Sequence, residues 1–77
     1  MAANAVLALM PMLDYQQSRA QVFPSEESLR WFVRARRSEL LDAGALLMVA
    51  GRKVISPEEF DAVVLDVGRR TAARSQR

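Results

Sequence analysis

The spacing of apolar residues changes twice along this sequence, and no other feature constrains the fold as strongly. A helical spacing follows Ser25, with the apolar residues Leu29, Phe32, Val33 and Leu40. Two short aliphatic runs, at 46–49 and 53–55, then flank Gly51 and predict a β-hairpin with its turn at residues 50–52. The helical spacing returns after Ser56, with the apolar residues Phe60, Val63, Val64 and Val67.

Residues typical of helix ends support both of these helices. Ser25 and Ser56 are the predicted N-caps, because a serine hydroxyl can accept a hydrogen bond from a free amide of the first turn. A proline follows Ser56 directly, and Glu59 stands three residues after it, which is the spacing of a capping box. We expect Gly44 and Gly68 to end the two helical regions.

A shorter helix is predicted between the first two prolines, in "MLDYQQSRAQVF". Leu13, Gln17 and Ala20 would share one side of it, with Tyr15 nearby. The helix would end before Pro24, because the residue that precedes a proline is disfavoured in helical geometry.

The expected fold is therefore α+β and mostly α, in the order helix, helix, β-hairpin, helix. One domain would span residues 13–68. Residues 1–12 would be an apolar arm, either flexible or packed on the domain, and residues 69–77 would be a basic tail. The arm has no basic residue before its short apolar segment and is too short to span a bilayer, so we expect a cytoplasmic protein without a signal peptide.

The chain contains neither cysteine nor histidine. This excludes disulfides, thiolate and imidazole catalysis, and the usual zinc ligands. The three glycines stand apart, so a glycine-rich phosphate loop is absent, and the carboxylates cluster at helix starts, where capping explains them. We expect no enzyme activity, no cofactor and no metal. A core built from 77 residues is small, which leaves homodimerisation open.

The charges are distributed in blocks. Residues 29–53 and 68–77 each carry a net charge of +4, residues 54–67 carry −4, and residues 1–28 carry −2. At about 100° per residue, Arg30, Arg34 and Arg37 fall within roughly 60° of one another and away from the apolar stripe. Arg36 falls on the apolar side, so the helix would bend or fray there, or the Arg36 stem would cover the core edge. Trp31 would be a half-buried packing residue at the edge of the stripe.

Two helices followed by a hairpin match a winged helix-turn-helix, in which the second helix enters the major groove of DNA. Arginine can form paired hydrogen bonds to phosphate or guanine, and Arg52 and Lys53 at the hairpin tip would neutralise phosphate. The alternative is a solvated arginine face paired with Glu27 and Glu39. The residues expected to contact DNA are Ser25, Glu27, Arg30, Arg34, Arg37, Arg52 and Lys53.

The stretch "FPSEESLRWFVRARR", followed by "GALLMVAGRKVISPEEFDAVV", resembles the excisionase-like, MerR-related winged-helix family of small phage and plasmid DNA-binding proteins. The resemblance covers residues 13–67 and is carried by Ser25, Leu29, Phe32 and Val33, then by 51–55 and 57–60. It implies binding of double-stranded DNA, either as an architectural excision factor or as a transcriptional regulator of a mobile element. The rival reading is a protein-interaction module that binds a regulator or polymerase through the hairpin and the arm.

Overall fold

The computed structural model describes residues 8–75. The helices and strands, numbered here in chain order, are β1 (Met10–Pro11), α1 (Met12–Ser18), α2 (Glu26–Ala35), α3 (Arg37–Asp42), β2 (Leu46–Val49), β3 (Arg52–Ile55) and α4 (Pro57–Ser75). The described part of the chain is mostly helical with one small antiparallel sheet, which confirms the α+β class. None of its helices combines the length and the apolar character that crossing a membrane requires.

The sheet has three strands in the order β1-β3-β2. The predicted hairpin is present, with Leu46 opposite Ile55 and Val49 opposite Arg52. Its turn holds only two residues, Ala50 and Gly51, with φ angles of 52° and 76°. Two successive positive φ angles are typical of the type I′ turn, whose twist matches that of the strands. Arg52, expected in the turn, is the first residue of β3.

The third strand comes from the segment that was expected to be an arm. Met10 pairs with Ile55, and Pro11 pairs with Val54. Proline is tolerated at this position because β1 is an edge strand and one side of its backbone needs no ladder partner. Of the two alternatives predicted for the arm, residues 10–12 follow the packed one, since Met10 and Met12 pack against the core. Residues 1–7 of the predicted arm lie outside the described residues.

One core joins the helices to the sheet. Four aromatic rings form its centre, with the Tyr15 and Phe60 centroids 4.6 Å apart and the Phe23 and Phe32 centroids 5.4 Å apart. The predicted apolar stripes face this core, and its fully buried side chains include Leu29, Leu40, Ile55 and Phe60. Burial of these side chains is the main term that stabilises so small a fold.

The predicted face of the first helix was wrong. Tyr15 and Gln16 are the buried residues of α1, whereas Leu13 remains 44% exposed and Ala20 lies beyond the helix end. Gln16 is tolerated inside because its Nε2 donates a hydrogen bond of 2.7 Å to the Phe23 carbonyl oxygen. Aromatic packing, rather than the spacing of Leu13 and later residues, decides which side of α1 faces inward.

The second helical region is interrupted at Arg36, one of the outcomes expected from its place on the apolar side. Its backbone angles, φ −120° and ψ 30°, leave the helical range and separate α2 from α3. The break lets α3 pack against β2 and α4, with Leu40 fully buried. Arg37 is thus the first residue of a different helix from Arg30 and Arg34.

The predicted helix end at Gly68 was wrong, and residues 69–75 continue the last helix. Helix α4 continues to Ser75. The φ of Gly68 is not positive, and Arg70 binds both Asp66 on its own helix and Glu39 on α3. These contacts, with the good helix formers that follow, extend the helix by two turns past its last buried residue, Val67.

Candidate functional site

Four cationic side chains from three elements line one concave surface. Arg30 and Arg34 come from α2, Arg37 from the start of α3, and Lys53 from β3. Met12 and Val33 complete the lining of this space, whose volume is about 200 Å³. We call this surface the basic groove. The break at Arg36 does not remove Arg37 from it, because Arg37 directly follows the break.

Local geometry explains why these side chains meet. Arg30 and Arg34 stand one helical turn apart on α2, and Val33 beside them points into the core. On β3, alternate residues share a face, so Lys53 lies on the same face as the buried Ile55 and reaches the groove beyond the core edge. Arg52 lies on the other face of the strand, exposed and outside the groove lining.

The cations of the groove have few counter-charges. Within residues 8–75, Arg34, Arg37 and Lys53 form no ion pair, and neither does Arg52. Arg30 approaches Glu26 one turn away at 4.0 Å, in an exposed pair that contributes little. The groove therefore concentrates positive charge that the described part of the protein does not neutralise.

The arginines outside the groove are paired differently. Arg19 binds Asp61 through two hydrogen bonds, Nε to Oδ1 at 3.0 Å and Nη2 to Oδ2 at 2.6 Å. The Tyr15 hydroxyl donates a third, of 2.6 Å, to Asp61 Oδ1. The hydrogen bonds from Arg19 lower the pKa of Asp61 below its ordinary value of 3.8, and burial together with the Asp61 contact raises the pKa of Tyr15.

Glu39 organises a second paired group. It contacts Arg36 at 3.6 Å on its own helix and Arg70 on α4. Arg70 had been counted with the basic tail, yet its guanidinium ties α3 to α4. The predicted alternative, in which Glu39 neutralises the arginine face of α2, does not match these contacts, since the partners of Glu39 lie outside the groove.

Besides Arg52, two of the expected DNA-contact residues, Ser25 and Glu27, lie outside the groove lining. The Ser25 hydroxyl accepts a hydrogen bond of 3.2 Å from the Ser28 amide, and the Ser28 hydroxyl accepts one of 3.2 Å from the Ser25 amide. Ser25 is therefore the N-cap of α2, as predicted. Glu27 is exposed in the first turn of α2 and does not line the groove.

The half-buried position predicted for Trp31 was also wrong. It is 66% exposed, the highest exposure among the large apolar residues of the described chain. A helical wheel explains this, because at about 100° per residue Trp31 lies roughly opposite the midpoint between Leu29 and Val33. Helical spacing therefore already indicated an exposed position for Trp31, although tryptophan side chains are usually buried or half-buried.

The site has no feature of a metal centre. Among residues 8–75, no group of three or more histidine, cysteine, aspartate or glutamate side chains is placed to hold a metal ion. Comparison of the chain with family models, curated proteins and solved structures finds no match. The geometry of the groove and the distribution of its charge are consequently the basis for a functional assignment.

Proposed function

We propose that this chain binds double-stranded DNA as a winged helix-turn-helix protein. Helix α2 would be the recognition helix and the β2–β3 hairpin the wing. The observation that supports this most directly is the cationic groove, in which Arg34, Arg37 and Lys53 form no ion pair within residues 8–75. The arginines Arg19, Arg36 and Arg70, in contrast, are paired outside the groove with Asp61 or Glu39. A surface of this kind favours a polyanion with regularly spaced charges.

The shape of α2 fits the major groove. An α-helix has about the diameter that this groove admits, and residues on its exposed face can reach the base edges. Arg30 and Arg34 lie on that face, where a guanidinium can bind guanine O6 and N7 or a phosphate through two hydrogen bonds. Glu27, one turn before Trp31, could accept a hydrogen bond from a cytosine amino group.

The remaining cations suit backbone contacts. Lys53 reaches the groove from the hairpin, and Arg37 sits at the start of α3, so both flank the helix that would enter the DNA. Arg52, at the tip of the wing, would meet the neighbouring phosphates. Such contacts set the register and orientation of a protein on the duplex.

Within this function, the resemblance to excisionase-like and MerR-related proteins favours two roles. The chain would bend DNA as an architectural excision factor, or it would regulate transcription of a mobile element, acting in the cytoplasm and without catalysis or a cofactor. Binding as a homodimer would appear as a palindromic site.

A selection from random duplexes, followed by fluorescence anisotropy at several salt concentrations, tests the proposal. The variant R30A/R34A should bind the selected duplex at least about 30-fold more weakly, since each well-placed arginine contributes about 1–3 kcal/mol. Where these arginines bind phosphate, the slope of log K against log salt should also become shallower by about two.

The variant R36A/R70A is the matched control. It removes the same two charges from arginines that lie outside the groove lining and are paired with Glu39. It should retain most of the affinity for the selected duplex. Equal losses in the two double variants would mean that net charge alone governs binding, and the assignment of α2 as the recognition helix would then be wrong.

A second candidate function follows from the hairpin. Met48 is 62% exposed and Val49 is 43% exposed, on opposite faces of β2 beside the turn, so the end of the hairpin offers apolar side chains to a protein partner. No enriched duplex in the selection, together with unchanged behaviour of R30A/R34A, would favour this protein-interaction module.

A further inference from the structure

Trp31 stands apart from the other aromatic residues of the described chain. Tyr15, Phe23, Phe32 and Phe60 form the aromatic centre of the core, whereas Trp31 is 66% exposed on α2. Leaving so large an apolar side chain in water forgoes the stabilisation that burial would provide. Within residues 8–75, Trp31 is not among the side chains that pack against the core, so core packing there does not account for its place.

Its position relates it to the basic groove. Trp31 lies one turn before Arg34 and one turn after Glu27, while Arg30 and Arg34 line the groove and Trp31 does not. The indole ring therefore lies one helical turn from an arginine that lines the groove. The exposed face of α2 presents a cationic surface next to an apolar side chain.

We propose that Trp31 is a specificity-determining residue that contacts the C5-methyl group of a thymine in the major groove. This inference rests on the proposed DNA-binding function. The thymine methyl is the apolar feature that the major groove displays among the polar base edges. An uncharged ring gains little from a phosphate, and the neighbouring Arg34, which forms no ion pair within residues 8–75, favours an anionic partner over an apolar protein surface.

The experiment uses the full chain and the duplex obtained by selection. Each thymine of that duplex is replaced in turn by uracil, which lacks only the methyl group, and binding is measured for the wild type and for W31A. At one thymine position, we expect the wild type to lose affinity by about three- to fivefold, the effect of one buried methyl group. W31A should bind the unmodified duplex more weakly than the wild type and should be insensitive to the same replacement.

Two further measurements test whether the indole ring of Trp31 itself contacts the DNA or whether removing any exposed apolar side chain weakens binding. Trp31 is the only tryptophan of the chain, so its fluorescence should change on binding the selected duplex and change less on binding a random one. L65A is the matched control, because Leu65 is similarly exposed, at 59%, but lies on α4 outside the basic groove. Its affinity and its sensitivity to uracil should equal those of the wild type.

Several results would overturn the inference while leaving the DNA-binding proposal in place. These are a selected site without thymine, wild-type affinity that is indifferent to every uracil replacement, W31A that remains as sensitive as the wild type, or tryptophan emission that does not respond to the selected duplex. In each case R30A/R34A would still lose affinity. An absence of any salt-dependent duplex binding would overturn both proposals together.

Discussion

The arginines of this protein occupy two contrasting regions. In the basic groove, Arg34 and Arg37 have no carboxylate partner within residues 8–75. Between α1 and α4, Arg19 makes two hydrogen bonds to Asp61, and its guanidinium lies 4.9 Å from the Tyr15 ring centroid. The same side chain therefore joins helices in one region and, in the other, is left with its charge unneutralised. The paired region should govern stability and the groove should govern binding.

The largest change in stability is expected from D61A, in the paired region. The change removes the acceptor of both Arg19 and the Tyr15 hydroxyl, so we expect the free energy of unfolding to fall by about 1–2 kcal/mol, measured by urea denaturation. This loss lies at the lower end of the range that is usual for hydrogen bonds to charged groups, because the Arg19 and Asp61 side chains remain 30% and 41% exposed. Duplex affinity of the folded variant should be unchanged.

D66A is the matched control for D61A. Asp66 lies on the same helix and pairs with Arg70 at 3.1 Å, but its side chain is 59% exposed. Its removal should change the free energy of unfolding by less than about 0.5 kcal/mol. A loss of stability in D66A as large as that in D61A would contradict the special role of the Arg19–Asp61 contact.

The second prediction concerns pH. Because Arg19 lowers the pKa of Asp61 in the folded protein below 3.8, the ionised carboxylate favours folding. This contribution is fully present above the unfolded-state pKa and is lost as the pH falls through the lower, folded-state pKa. The difference in unfolding free energy between the wild type and D61N should therefore shrink below about pH 4.

An NMR titration of the Asp61 carboxyl checks the same point directly and should give a midpoint below 3.8. A midpoint at or above that value would show that burial outweighs the hydrogen bonds from Arg19.

The smallest change is expected from G68A, in the interior of α4. A Cβ atom at Gly68 would meet nothing within 4 Å, and glycine disfavours a helix interior relative to alanine. We expect the free energy of unfolding to rise by about 0.5–1 kcal/mol without a change in duplex affinity. A62G, at an exposed position on the same helix, should lower stability by a similar amount. An altered affinity in G68A would place the last turns of α4 among the binding elements.

The sequence predicted those elements whose local signals agree with each other. The hairpin, the N-cap at Ser25, the start of α4 directly after Ser56, and the burial of Phe60 and Val67 were all confirmed in position, because turn geometry and periodic burial act over a few residues. The location of Arg30, Arg34 and Arg37 on one surface was likewise predicted from helical spacing. The structure adds Lys53 to that surface.

The errors have a common cause. The inward face of α1 and the continuation of α4 past Gly68 both depend on contacts with distant residues, among them Phe60 and Glu39. Pairing with Ile55, another distant residue, likewise decides that Met10–Pro11 packs as a strand, an alternative that the sequence left open. The error at Trp31 has a different cause. Helical spacing indicated an exposed side chain, and the prediction followed the general preference of tryptophan for burial instead.

The sequence by itself determined where helices and hairpin form and which cations share a helix face, because these follow from backbone geometry and from the spacing of residues along it. Only the tertiary structure decided which of the charges are neutralised. Arg19 and Arg70 find Asp61 and Glu39 across 42 and 31 residues of sequence. No local pattern encodes such pairs, since an ion pair requires two side chains that only the packed core brings to within a few ångströms of each other.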